Sequence, residues 1–387
     1  MIHVFLLASK GIPAKYGGFE TFVDRLVSGK VNKEIKYHVS CMNNDEKHFD
    51  YNGADCFNVR VGLPGPAGRI AHVSRALTIV EKWKKSHPED RAIVYVLGCR
   101  IGPLMKPHYK KLKKLGVMVY VNPDGLEWKR AKWRGVLKNF LHYCEKCLVK
   151  NSDLAICDSV NIESYINKSY PKKKTTFVAY GADVKPSGVS NEELNSWLSK
   201  KGISKNGYYL IVGRFVPDNN YELMIREFMN SSTKKDLVII SNYEKNKFYN
   251  KLKKSTGFDK DERIKFVGTV YEQALLKKIR ENAHAYIHGH EVGGTNPSLL
   301  EALGSTNLNL ILNVGFNTEV ADGSALTFDK EEGSLSSLID TVDDYDKTVL
   351  EEYGRKAKTR IKNAYSWPHI IKTYENIFVH GIKIVLK

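Results

Sequence analysis

Short apolar runs alternate with longer helical stretches along the whole chain, and this alternation limits the fold more than any other feature. A strand, a helix and a second strand in succession build a parallel sheet covered on both faces, so the pattern predicts an α/β protein. The first series of strands is expected at His3 to Ala8, Tyr37 to Cys41, Ala54 to Val59, Ala92 to Leu97, Val117 to Val121, Leu154 to Cys157 and Thr176 to Val178. The polar stretch Lys185 to Lys205, with Pro186, Gly188 and a short helix around Leu194, reads as a linker. A second series follows at Tyr208 to Val212, Leu237 to Ser241, Ile264 to Val267, Ala285 to His288, Leu308 to Asn313 and Ala325 to Phe328. At 387 residues the chain exceeds the size of one ordinary core, so two domains are expected, 1–190 and 191–365. The closing segment 366–387 has helical apolar spacing at Ile370, Ile371, Tyr374 and Ile377.

Doubly wound sheets bind ligands where strands end and helices begin, so the strand-end loops carry the functional signal. The richest is AYIHGHEVGGTNPSLLEALG at 285–304. Gly293 and Gly294 let bare backbone approach an anion, while Thr295 and Asn296 add a hydroxyl and an amide. Pro297 to Leu303 then opens a helix whose unpaired N–H groups point at the same spot. Glu301 lies about one turn further on, where a carboxylate can accept hydrogen bonds from sugar hydroxyls. An ordinary capped strand-to-helix turn is the plainer reading of the same residues. Three more strand-end loops stand out: KGIPAKYGGFET, VNPDGLEWKRAKW and GRFVPDNN.

Taken in order, GRF after a strand, FVGTV at Phe266 to Val270 and GGTNPSLLEAL with Glu301 resemble the donor half of retaining glycosyltransferases of family 4. KGIPAKYGGFETFV and VNPDGLEWKRAKW are similar to bacterial β-1,4-rhamnosyltransferases of capsule and cell-wall polysaccharide synthesis, a resemblance that spans nearly the whole chain. It implies the GT-B fold: two Rossmann-like domains facing a central cleft, with a C-terminal helix crossing back to the N-terminal, acceptor-binding domain. It also implies dTDP-rhamnose as donor, an undecaprenyl diphosphate-linked saccharide as acceptor, and neither cofactor nor metal. A UDP-hexose donor is the alternative within the same fold. The donor set carried over is Gly213, Arg214, Asn219, Gly268, Thr269, Val270, Gly293, Gly294, Thr295, Asn296 and Glu301. The acceptor set is Gly17, Gly18, Phe19, Glu20, Lys129, Arg130 and Asp158, and Asp124, Arg214 and Glu301 are the catalytic candidates. Two departures stand against the family pattern. Its paired glutamates become Gly293 and Glu301, with Glu291 two residues earlier, and its Arg/Lys pair becomes Arg214 and Asn219.

Breaking a sugar–diphosphate bond builds negative charge on the leaving group, so fixed positive charge belongs at the phosphates. Arg214, a permanently charged planar fork at a strand end, suits that task, although a solvated or salt-bridged arginine is the simpler reading. Asp124 could steady a positive sugar carbon, bond a sugar hydroxyl or take the acceptor proton, and it could equally be the turn aspartate that Asp-Gly sequences favour. Glu20 could orient the acceptor, with Gly17 and Gly18 permitting close approach; an N-terminal helix cap is the bland alternative. His72, His108, His142, His288 and His290 have no metal-ligand spacing, and the carboxylates of Asp344 and Asp346 fall in an acidic turn.

Lys and Arg number 60 against 43 Asp and Glu, a formal charge of +17 that favours anionic partners. One basic run holds Lys106, Lys110, Lys111, Lys113 and Lys114; another interleaves Lys129, Arg130, Lys132, Arg134 and Lys138 with Trp128, Trp133 and Phe140. Rings beside cations suit an anionic membrane surface, and solvated helix faces look the same in sequence. A nucleic-acid partner is not expected, because helix-turn-helix, zinc and RNA-binding sheet signatures are missing. An oxidoreductase is disfavoured too, since no G-x-G-x-x-G follows the first strand. The N-terminal run MIHVFLLASKGIP is short and lacks a preceding basic region, so it reads as a buried strand, and no later run reaches membrane-spanning length. The expected place is the cytoplasm, peripheral on the inner face of the cytoplasmic membrane. Six cysteines fit a reducing compartment, with Cys144 and Cys147 read as core packing.

Overall fold

In the computed structural model, which describes residues 1–14, 17–130, 133–203, 207–244 and 247–381, the chain divides into two units. One comprises residues 1–181 together with the stretch from Trp367 onward, and the other is Ala182–Ser366.

The first unit carries an eight-stranded sheet: β1 (Ile2–Leu7), β2 (Ile35–Asn43), β3 (His48–Tyr51), β4 (Ala54–Arg60), β5 (Arg91–Leu97), β6 (Met118–Asn122), β7 (Leu154–Cys157) and β8 (Thr175–Phe177). Its spatial order is β3-β4-β2-β1-β5-β6-β7-β8, parallel except for the antiparallel edge pair β3 and β4. Side chains alternate between faces along each strand, so Phe5, Leu7, Val94, Val96, Val119 and Val121 build one buried layer with Ala76, Leu77 and Val80 of the helix Gly65–Ser86. The opposite face is aromatic. Tyr37 and Tyr95 meet Tyr374 and Phe378 of the helix Trp367–His380, with Tyr95 and Tyr374 hydroxyls 3.3 Å apart. Glu375 of that helix accepts from the backbone N–H groups of Val31 and Asn32, which fixes its place on the unit.

The second unit carries six parallel strands: β9 (Tyr208–Val212), β10 (Asp236–Ile240), β11 (Ile264–Gly268), β12 (Ala285–His288), β13 (Asn309–Leu312) and β14 (Leu326–Phe328). The order is β11-β10-β9-β12-β13-β14. Tyr209, Ile211, Leu237, Ile239 and Ile287 pack on one face, and Tyr208, Leu210, Val238, Ile240 and Tyr286 on the other. The polar stretch read as a linker is part of this unit. Its helix, Asn191–Lys200, buries Leu194 against the second of these layers with Trp197 and Leu198 beside it at i+3 and i+4, an apolar stripe that docks an otherwise polar helix; Lys205 lies outside the described residues.

Candidate functional site

Each sheet reverses its strand order once, and such a switch point opens a crevice at the carboxyl ends of the two strands that flank it. In the second unit the reversal falls between β9 and β12. The two loops that leave these strands carry Arg214 and the glycine-rich turn.

After β9 the chain turns at Gly213, whose carbonyl accepts from Ser241 Oγ at 2.6 Å and Tyr221 OH at 3.1 Å. Arg214 follows, exposed, and its guanidinium has no ion pair among the described residues. Asn219 controls this loop. Its Nδ2 donates to the Arg214 carbonyl at 2.8 Å, while its Oδ1 accepts from Nδ1 of His290 at 2.7 Å. The residue that stands where the family pattern has a lysine therefore ties the β9 loop to the β12 loop. Gly289 has to be glycine for the same reason: a Cβ there would meet the Asn219 carbonyl oxygen at 2.8 Å and Met224 Sδ at 2.9 Å.

Glu291 is committed elsewhere. It accepts from Asn220 Nδ2 at 2.5 Å and pairs with Lys330, so it braces the turn. Gly293 has φ 138°, a conformation that side chains rarely adopt. Thr295 is buried, and Asn296 caps the helix Pro297–Leu303 by accepting from the Ser298 N–H at 2.9 Å. The Asn296 carbonyl side chain is thus spent on the helix. Glu301 is about one-third exposed and bonds through Oε2 to Arg280 Nη2 at 2.7 Å. Arg280 is 3 % exposed and its Nη2 also reaches Ser298 Oγ at 3.4 Å. Sequence reasoning missed this arginine, which lies in the helix Gln273–Asn282 with nothing beside it to signal a partner.

Gly268 ends β11 and Thr269 and Val270 follow it, two strands from the switch point. A relay connects them to it: the Ser241 N–H donates to the Gly268 carbonyl at 3.1 Å, and the Ser241 hydroxyl donates to Gly213. His288 is buried at the end of β12, and burial, then the neighbouring His290, holds its pKa far below the ordinary histidine value, so the ring is neutral.

In the first unit the reversal falls between β1 and β5. Gly17, with φ 121°, precedes the helix Gly18–Ser28, and Glu20 folds back so that its Oε1 accepts from the Lys10 N–H at 2.8 Å. Gly98 after β5 has φ 84°, and a Cβ on it would lie 3.4 Å from the Phe19 ring and 3.9 Å from Asp124 Oδ2. Phe19, Gly98 and Asp124 thereby converge from one helix start and two loops. Asp124 has φ 62°; its Oδ1 accepts from Gly125 N–H at 2.8 Å, which holds the turn, and Oδ2 is the oxygen turned toward Gly98.

Arg100, another residue missed in sequence, stands two positions after Gly98. Partial desolvation, then the nearby Arg69, draws the guanidinium below its usual value, while the carboxylates of Asp124, Glu127 and Glu20 act in the opposite direction. Glu127 pairs with Arg130 Nε at 2.9 Å. Lys129 is exposed, with Nζ 5.4 Å from the Trp128 ring. Asp158 is buried just after β7, and burial, then the charge of Asp158, raises the pKa of Tyr180.

Of the other histidines, His108 lies between Ser74 Oγ at 2.9 Å and Glu81 Oε1 at 2.6 Å. That order matches a Ser–His–Glu relay, yet Ser74 sits mid-helix, where the neighbouring amides are used within the helix and cannot receive an oxyanion. Asp346 caps the helix Lys347–Ala364, accepting from the Val349 N–H at 2.9 Å.

The chain has the GT-B fold, with two Rossmann-like parallel sheets. It is similar to a glycosyltransferase from Rickettsia africae at 12% identity, TM-score 0.73, covering 99% of both chains. Sucrose-phosphate synthase from Thermosynechococcus elongatus matches at 13% identity and TM-score 0.72, over 97% of this chain and 98% of that one. HepE from Anabaena, solved in complex with UDP and glucose, matches at 12% identity and TM-score 0.72, over 97% and 98%. A family described as "Domain of unknown function (DUF1972)" matches residues 1–183. Among curated proteins, no match was found.

Proposed function

We propose that the protein is a retaining glycosyltransferase that moves rhamnose from dTDP-rhamnose to an undecaprenyl diphosphate-linked saccharide in cell-surface polysaccharide synthesis. The observation that carries this reading is the double hydrogen bond of Asn219, which fastens the loop of Arg214, unpaired among the described residues, to the glycine-rich turn at the switch point of the second sheet. A nucleoside diphosphate fits such a place. Arg214 offers two parallel donors, and the backbone around Gly293 and Gly294 can approach phosphate oxygens closely. Charge that develops on the departing diphosphate is met by the guanidinium of Arg214, which extends from a backbone held by Asn219. Glu301, oriented by Arg280, suits a ribose or deoxyribose hydroxyl.

In the first unit, Phe19, Gly98 and Asp124 form the acceptor side, with Glu20, Arg100 and Lys129 around them. Asp124 Oδ2 is the oxygen available to a sugar hydroxyl or its proton, since Oδ1 holds the turn. An acceptor anchored in lipid would place the protein on the inner face of the cytoplasmic membrane.

The test is incubation of the purified protein with dTDP-rhamnose and an undecaprenyl-type diphosphate sugar, followed by mass spectrometry. A gain of one deoxyhexose is expected. A hexose gained from a UDP-sugar instead would leave the reaction class standing and replace the donor, and no product from a broad nucleotide-sugar panel would sink the reading.

A further inference from the structure

We propose that the exposed first half of the helix Gly135–Lys150, with the lysine stripe of the neighbouring helix Met105–Lys114, seats the protein on an anionic lipid bilayer surface. This deepens the membrane part of the reading above and depends on none of its transfer chemistry.

Of the rings singled out in sequence, Trp128 and Trp133 do not form this face, and Phe140 does. Trp128 is tied by Nε1 to the buried Glu145 at 3.0 Å and stacked on His142, and Trp133 Nε1 donates to Glu127 at 3.1 Å. What faces outward is Val136, 86 % exposed, with Phe140 and Tyr143, at spacing i, i+4 and i+7 on one side of the helix, and Leu137 beside them. Residues 134–140 are all exposed, so this end of the helix stands clear of the unit's core. A soluble surface scatters such residues singly; a cluster on one helix needs an explanation.

Charge selects the occupant. Lys146 and Lys150 continue the face at i+3 and i+7 from Tyr143, and both are exposed. The one acid in the helix, Glu145, is 2 % exposed and holds the hydroxyls of Tyr165 and Tyr170. The helix Met105–Lys114 contains no acid. Lys111 and Lys113 are paired with Glu81 and Asp153, whereas Lys106, Lys110 and Lys114, one stripe at i, i+4 and i+8, have no ion pair among the described residues. A surface meant for water or another protein mixes both signs; apolar residues among unopposed lysines match headgroups of negative charge above acyl chains. Among the described residues no helix is long and apolar enough to cross a membrane.

Co-sedimentation of the full chain with vesicles tests this without donor or acceptor. Vesicles containing about a third phosphatidylglycerol should bind the protein, purely phosphatidylcholine vesicles at least about tenfold more weakly, and binding should fall as salt rises. The double variant Val136→Asp/Phe140→Asp should lose binding by at least about tenfold with an unchanged thermal melt, while Val31→Asp, at another exposed apolar position of the same unit, should keep it. Equal binding by the double variant and the parent protein would overturn the proposal. So would a self-association of the parent that the double variant abolishes, which would assign the face to a second copy of the chain.

Discussion

Asn219 and His290 are joined by a 2.7 Å hydrogen bond across the switch point of the second sheet, and the same amide holds the Arg214 carbonyl at 2.8 Å. One neutral side chain thus fixes the backbone from which the Arg214 side chain extends. Asn219→Ala removes both bonds and frees the loop, so the Michaelis constant for the nucleotide sugar should rise about tenfold, more than kcat falls. Steady-state kinetics at saturating acceptor checks it. An unchanged Michaelis constant would detach Asn219 from donor binding.

Arg214→Ala should lower kcat/KM by about a hundredfold or more, since the variant loses its charge opposite the leaving diphosphate. Arg214 is exposed and unpaired among the described residues, so the thermal midpoint should stay within about 1 °C. Arg214→Lys should recover only part of the rate, because an ammonium cannot reproduce the two-pronged contact. Near-normal turnover in Arg214→Ala would remove the residue from the site.

Glu301→Gln should impair transfer and also cost about 1–3 kcal/mol of stability, because Arg280 is buried and loses its charged partner. The part-exposed position of Glu301 keeps this below the cost of breaking a fully buried pair. Arg280→Met, which removes the buried charge, should be better folded than Arg280→Glu and still slow, since Glu301 loses its orientation. Urea unfolding and initial rates on the three variants separate packing from positioning.

His72, 2 % exposed in the helix Gly65–Ser86, is lowered by burial to about 4. The unfolded chain protonates near 6.5, so the neutral ring stabilises the fold fully above that value. Stability is then lost as pH falls from about 6.5 to 4, by about 3 kcal/mol from this group. His72→Leu should show a shallower decline across that window in urea midpoints measured between pH 7 and 4. A slope identical to the parent's would show that the ring is not buried in solution.

The parallel strands were legible because each is a near-continuous apolar run: LAIC at 154–157 and YYLIV at 208–212 could hardly be anything else. β3 escaped notice because HFDY is half polar and lies at the sheet edge, paired only with β4. The glycine turn and Arg214 stood out because their residue types are unusual at strand ends. Arg280 did not, since its bond to Glu301 joins positions 21 residues apart, and Arg100 resembles any surface arginine until Asp124, Glu127 and Glu20 are placed around it. Trp128 misled for a similar reason: its indole belongs to a buried carboxylate that only folding brings near.

The helix Trp367–His380 lies on the face of the sheet that begins with Ile2, while everything from Ala182 to Ser366 forms a unit of its own. During synthesis the opening sheet must therefore wait, its Tyr37 and Tyr95 uncovered, until the ribosome has delivered the intervening unit and then Tyr374 and Phe378. The later-born unit can mature first. A nascent chain halted just short of Trp367 should be the most chaperone-dependent form of this protein.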